Sequence, residues 1–280
     1  MKAIIILVCA AAALAAGCGE SSHATGKKRV VAAFYPLAFA AQEMGGDEVE
    51  VANLTPAGAE PHDLEVTPST VRQLRSADLV LLLGHGFQPQ LEKAAGGGGS
   101  VLLLLDTPGL QRYPNDDPHV WLDPIRFSLI VKQIGRALDT SGPAQRLVAQ
   151  LQELNGEFGR GLAHCARREI VTSHEAFAYL GERYGLHQVA ITGLSPEAEP
   201  SPKDLQHVVS LVRKTHATTI FFETLVSPRI AETVANETGA KTAVLNPIEG
   251  LTPDEAKAGE NYFTVMRSNL AHLRAALGCR

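Results

Sequence analysis

The chain has 280 residues, 45% hydrophobic, 5% aromatic and 20% charged, with 25 basic against 30 acidic side chains and a formal net charge of −5. That balance suits a globular chain able to bury a large core, and excludes disordered, collagen-like and polytopic membrane classes. A nucleic-acid binder should carry a basic stripe or a basic overall balance, and this chain has neither.

The first 17 residues stand apart in composition. Lys2 precedes an apolar run from Ala3 to Leu14, which ends in the small residues Ala15, Ala16 and Gly17. A bilayer span takes about 20 apolar residues, so residues 1–17 are expected to be a signal peptide. Leu14-Ala15-Ala16-Gly17-Cys18 resembles a bacterial lipobox, in which the cysteine receives lipid and becomes the mature N-terminus. Leu14 stands four residues before that cysteine where three is usual, and plain secretion is the alternative. Residues 18–28 then read as the lipidated Cys18 and a flexible polar tether to an extracytoplasmic protein on the cell membrane. With Cys9 lost in the leader and Cys18 acylated, Cys165 and Cys279 remain. An exported compartment allows these two to form a disulfide; two buried thiols are the alternative.

From Val30 onward, short apolar strands alternate with helix-period stretches. Strands are predicted at Val30–Phe34, Val49–Leu54, Leu79–Leu83 and Val101–Leu105, with helices near Pro36–Met44, Pro68–Ser76 and Gln88–Ala94. Pro124 to Leu162 reads as helical, broken near Thr140-Ser141-Gly142-Pro143, with Leu147, Leu151, Leu154 and Phe158 on one face of the second part. The alternation then resumes. Strands are predicted at Glu169–Thr172, Gln188–Ile191, Thr219–Phe222 and Thr242–Leu245, and helices near Ala176–Tyr184, Lys203–His216, Pro228–Glu237 and Glu260–Leu277. The fold class is α/β: two Rossmann-like lobes with parallel sheets, residues 29–142 and 165–280, joined by a long rigid helix over 143–164. Gly96 to Gly99 is a loop before a strand rather than a phosphate loop, because no Lys-Ser/Thr and no helix follow it.

Three of the ten histidines stand at strand-to-helix junctions: His62 in Glu60-Pro61-His62-Asp63, His119 in Asp117-Pro118-His119-Val120-Trp121-Leu122-Asp123-Pro124, and His174 in Ser173-His174-Glu175-Ala176-Phe177. In open α/β sheets that edge is where ligands bind, and neutral imidazole is the commonest metal ligand. Histidines that merely cap helices are the alternative, and His85 has a similar strand-end position.

Six segments in register carry a resemblance: Phe34-Tyr35-Pro36-Leu37, Pro61-His62-Asp63, Ala77-Asp78-Leu79-Val80, Pro118 to Pro124, Ser173 to Phe177, and Gly181-Glu182-Arg183-Tyr184-Gly185-Leu186. The chain from about Val30 to Leu277 thereby resembles the zinc/manganese solute-binding lipoproteins of ABC importers, the metal-binding adhesin family. The resemblance implies two α/β lobes with a metal held between them, and His62, His119 and His174 as ligands. It also implies a fourth ligand at Asn246, where the family usually has aspartate; Glu60, Glu249 or a water could fill that position instead. The accessory His/Asp-rich loop of many zinc members has no counterpart between Asp106 and Pro118.

Three imidazoles and one oxygen make a tetrahedral site suited to Zn²⁺, whereas Mn²⁺ prefers harder donors in greater number. Asp63, Asp123, Glu175 and Glu223 are candidates to orient an imidazole by accepting its other N–H. The expected protein is a zinc receptor, monomeric, serving the membrane permease of an ABC importer. A manganese receptor, a zinc hydrolase and a surface adhesin are the alternatives. Catalysis is not expected, since neither H-E-x-x-H nor G-x-S-x-G occurs.

Overall fold

A computed structural model describes residues 26–96, 100–112 and 116–280. The leader, Cys18 and most of the tether therefore lie outside the described residues.

The first half holds β1 (Lys28–Ala32), α1 (Tyr35–Gly45), β2 (Val49–Asn53), α2 (Pro68–Ser76), β3 (Leu79–Leu82), α3 (Pro89–Ala95) and β4 (Ser100–Leu103). All pairings in its sheet are parallel, in the order β2-β1-β3-β4. The central strands are covered on both faces, which is why Leu79-Val80-Leu81-Leu82 is an unbroken apolar run, buried throughout. After α4 (Pro124–Leu138) and α5 (Ser141–Gly161), the second half repeats the plan: β5 (Glu169–Thr172), α6 (Ala178–Tyr184), β6 (His187–Ala190), α7 (Pro202–Thr215), β7 (Thr219–Phe222), α8 (Arg229–Thr238) and β8 (Lys241–Val244). Its order, β6-β5-β7-β8, is the same and again parallel. The chain closes with α9 (Pro253–Lys257) and α10 (Tyr262–Leu277). In each sheet the strand order reverses beside the first strand, and a crevice opens beyond the carboxyl ends at such a point.

The long helix begins at Ser141, two residues before the predicted start, and ends at Gly161. Pro143 does not break it, because a proline in the first turn lacks only an N–H that would have no helical partner. By rise per residue it spans about 31 Å. Only Asp139 and Thr140 separate α4 from α5, and Asp139 turns the chain in the left-handed region at φ 60°. The predicted terminal helix is shorter at its start, and the unpredicted α9 precedes it.

Helix α5 packs against α1, α4 and α10, and one apolar core runs through both halves from Val30 to Leu277. A smaller cluster fills the space between the second sheet and α7 and α8. Tyr262 lies at the seam, with its ring 4.9 Å from Phe127 and 5.8 Å from Phe39, and its hydroxyl donating to the Trp121 carbonyl at 2.6 Å. Trp121 Nε1 donates across to the Pro247 carbonyl at 2.7 Å. Asp123 caps α4 and receives both Arg126 and a two-pronged Arg183 from α6, at 2.7–2.9 Å. It is therefore part of the seam and orients no imidazole. Cys165 and Cys279 form a disulfide across 114 residues, tying the end of α10 to the start of the second lobe. A bridge of that span is worth roughly 4–5 kcal/mol in the loop-entropy account.

A shared core and a charged clamp oppose hinge opening, unlike lobes joined by bare strands. Small-angle scattering profiles of the metal-free and zinc-loaded protein are therefore expected to superimpose. A reproducible change in the radius of gyration would refute the rigid seam.

Candidate metal centre

Four loops, each following the carboxyl end of a strand, bring one side chain apiece to the crevice between the lobes. His62 comes from the β2–α2 loop, His119 from the stretch between β4 and α4, His174 from just beyond β5, and Glu249 from the β8–α9 loop. Their ligand atoms all lie within 4.8 Å of one another. Glu249 Oε1 is 2.9 Å from His119 Nε2, 3.3 Å from His62 Nε2 and 3.6 Å from His174 Nε2, while the His119 and His174 Nε2 atoms are 3.3 Å apart. Donors about 2.0 Å from a central ion define a tetrahedron with edges of about 3.3 Å. The four separations of 2.9–3.6 Å are close to that spacing before any ion is considered. His119, His174 and Glu249 are fully buried, and the His62 side chain is 11% exposed.

The ring orientations have local causes. Asp117 Oδ1 takes both the backbone N–H of His119, at 2.9 Å, and its Nδ1, at 2.7 Å. Glu223 Oε1 takes His174 Nδ1 at 2.6 Å and the Ser173 hydroxyl at 2.5 Å. With Nδ1–H donated to a carboxylate, each ring presents Nε2 to the cluster. Glu60 Oε1 accepts the backbone N–H of His62 at 3.0 Å.

Burial disfavours the charged forms of all these groups, but for most of them their mutual contacts oppose it. Hydrogen bonds to Asp117 and Glu249 outweigh burial and raise His119 above the ordinary imidazole value. Against the same burial, hydrogen bonds to Glu223 and Glu249 push His174 up to about 10. The three histidines hold the Glu249 carboxyl well below its usual range despite its burial. Glu60 goes the other way, to about 9, through burial and the Glu249 charge. Four buried carboxyl oxygens, one each on Glu60, Asp117, Glu223 and Glu249, have no hydrogen-bond partner among the described residues. Buried polar atoms are normally satisfied, and this cluster of unpaired carboxyl oxygens around converging imidazoles fits a cation.

Asn246, expected as the fourth ligand, is turned away. Its Oδ1 accepts the Ile248 N–H at 2.7 Å, and its Nδ2 donates to Thr224 and Glu255. Its backbone is pinned on both sides by Asn269, at 2.9 and 2.7 Å. Ile248 has φ 59°, where a β-branched residue is rarely found. The loop so shaped aims Glu249, not Asn246, at the histidines. Glu223 and Glu60 stand behind ligand residues, whereas Glu175 and the exposed Asp63 lie outside the cluster. His85 instead pairs with Asp106 at 2.7 Å, away from the cluster. Asp117 was not among the residues expected to orient an imidazole. A carboxylate two residues before a candidate ligand, separated from it by proline, was the available signal.

Two parallel α/β lobes with three imidazoles and one carboxylate buried between them define a two-lobed protein whose donor set fits Zn²⁺. The chain belongs to the ZnuA family, zinc-uptake complex component A, periplasmic, which matches residues 30–276. It is 35% identical over 307 residues to the zinc-binding lipoprotein AdcA of Streptococcus pneumoniae, covering 98% of this chain but only 61% of that protein. It is 32% identical over 309 residues to the high-affinity zinc uptake system protein ZnuA of Bacillus subtilis, covering 98% of this chain and 97% of that one. The crystal structure of the Zn(II)-bound ZnuA-like domain of Streptococcus pneumoniae AdcA superimposes with a TM-score of 0.79 at 35% identity, covering 90% of this chain and 99% of that domain.

Proposed function

We propose that the protein is an extracytoplasmic zinc receptor that captures Zn²⁺ between its lobes and delivers it to the membrane permease of an ABC importer. The observation that carries this reading is the buried convergence of His62, His119, His174 and Glu249. Three imidazoles and a carboxylate match zinc's preference for nitrogen with few oxygens, and the set lacks the additional hard donors that manganese favours. A catalytic zinc keeps one position for water or substrate. Here the Glu249 carboxylate takes that position, which favours capture and carriage over hydrolysis. Lipid on Cys18 and the tether up to residue 28 would hold the receptor, as a monomer, at the outer face of the membrane that contains its permease.

The test is thermal denaturation of the Cys18→Ser chain with zinc, manganese or inorganic phosphate. A ligand at 1,000 times its Kd stabilises the native state by about 4 kcal/mol. A large upward shift in Tm with zinc, small with manganese and absent with phosphate, is the expected result. Equal Tm values in all conditions would overturn the reading.

A further inference from the structure

The three imidazoles are not held alike. His119 and His174 each rest on a carboxylate through Nδ1. Among the described residues no carboxylate is bonded to His62 Nδ1, and His62 is also the one ligand with partial exposure. Beyond the ligand cluster itself, its ring meets Phe87, at a centroid distance of 4.8 Å and an interplanar angle of 77°. One residue on, Gln88 Nε2 donates to the carbonyl of Pro61 at 3.0 Å in a buried contact, fixing the backbone immediately before His62.

The β3–α3 loop that supplies both residues has an unusual path. Gly84, His85 and Gly86 take three successive left-handed conformations, at φ 89°, 58° and 82°. A side chain on Gly84 would also crowd Leu103 at 3.3 Å. Glu92 reaches back from α3 to hold the turn, accepting the Gly86 N–H at 3.1 Å and the Gln88 N–H at 3.3 Å. His85 is tied to Asp106. Glycine takes such angles at little cost, and His85 is the one residue of the three for which the left-handed region is strained. The turn so built places Phe87. Its ring also packs on Phe34 at 5.1 Å and Trp121 at 6.1 Å, and Trp121 in turn lies 5.2 Å from His119.

We propose that Phe87 and Gln88 are positioning residues for His62, which takes the zinc reading as given: an aromatic ring and a backbone clamp orient this imidazole, as Asp117 and Glu223 orient the other two. Zinc competition with a chromophoric chelator, the visible spectrum of the Co²⁺-loaded protein and the metal-free Tm test it together. Loss of an orienting partner typically costs a metal site about 10–100-fold in affinity, and Phe87→Leu, which keeps apolar bulk but removes the ring, is expected to weaken zinc within that range. The Co²⁺ bands should lose intensity as the tetrahedral set loosens. Gln88→Leu should act in the same direction, and Phe87→Tyr, which restores a ring, should recover both readouts. In a His62→Ala background, Phe87→Leu should add no further loss, since the two changes then act on one contact.

Wild-type affinity and Co²⁺ spectrum in Phe87→Leu would overturn the proposal, whatever its Tm. So would an equal loss with and without His62. If the unmodified chain bound no zinc, the receptor reading itself would fall and this proposal with it; a chain that binds zinc but ignores Phe87 defeats only the proposal.

Discussion

Glu249→Gln is expected to weaken zinc binding by at least about a hundredfold, the equivalent of about 3 kcal/mol and the low end of what removing one partner from a buried charged pair costs. The amide preserves shape but carries no charge. It leaves His62, His119 and His174 facing one another around a dipositive ion with no anion among the ligands. Asn246→Ala is the contrasting variant. Its amide holds the Ile248 N–H and two side chains rather than the cluster, so its loss should reduce metal-free stability by about 1–3 kcal/mol while a clear zinc-induced rise in Tm remains. Isothermal titration and melting curves of the two variants separate the roles. Near wild-type zinc affinity in Glu249→Gln, or complete loss of the zinc response in Asn246→Ala, would place the fourth ligand wrongly.

The contrast also marks where the sequence stops being informative. A strand such as Leu79–Leu82 was legible because a doubly covered parallel strand is apolar along its whole length. The three histidines were legible because each follows a strand, and an open α/β sheet exposes those ends to a ligand. Selecting Glu249 over Asn246 needed the actual path of the β8–α9 loop. Both residues follow the same strand within a few positions, and the left-handed turn at Ile248 decides which one faces inward. No residue pattern signals a positive φ at isoleucine. The helix α9 was missed for a different reason: five residues carry too little periodicity, although the capping pair Thr252 and Glu255 marked its start.

The seam between the lobes was similarly hidden. Buried leucines on α5 predicted an amphipathic helix, but not that α1, α4 and α10 would all pack against it. That arrangement bears on the site directly. Trp121, next but one to His119, bonds the Pro247 carbonyl two residues before Glu249, so ligands from opposite lobes are braced by one indole. It is the chain's single tryptophan, which makes its intrinsic emission a local reporter for the titrations.

Zinc affinity is expected to fall by roughly one to two decades per pH unit between pH 8 and 6, because binding must displace protons from imidazoles. From the ordinary histidine value alone, the decline would begin only near pH 6.5. In the folded protein, burial opposes the charged imidazoles, but Asp117, Glu223 and Glu249 reverse it, raising His119 and lifting His174 to about 10. At neutral pH His174 holds a proton that zinc must expel, and the raised His119 adds to this as pH falls, so affinity is complete only above the raised values and is lost as pH falls below them. Stability without metal has the opposite sign. A group raised from 6.5 to about 10 contributes fully below its unfolded value and loses that contribution as pH climbs through the folded one. The metal-free Tm should therefore decline from pH 7 to 10 while the increment added by zinc grows. Calorimetric titration in buffers of different ionisation enthalpy counts the protons directly, and between about one and two should be released per zinc at pH 7. Zero release at pH 7, with an affinity flat from pH 8 to 6, would mean that the imidazoles are already neutral and that the surrounding carboxylates do not hold their protons.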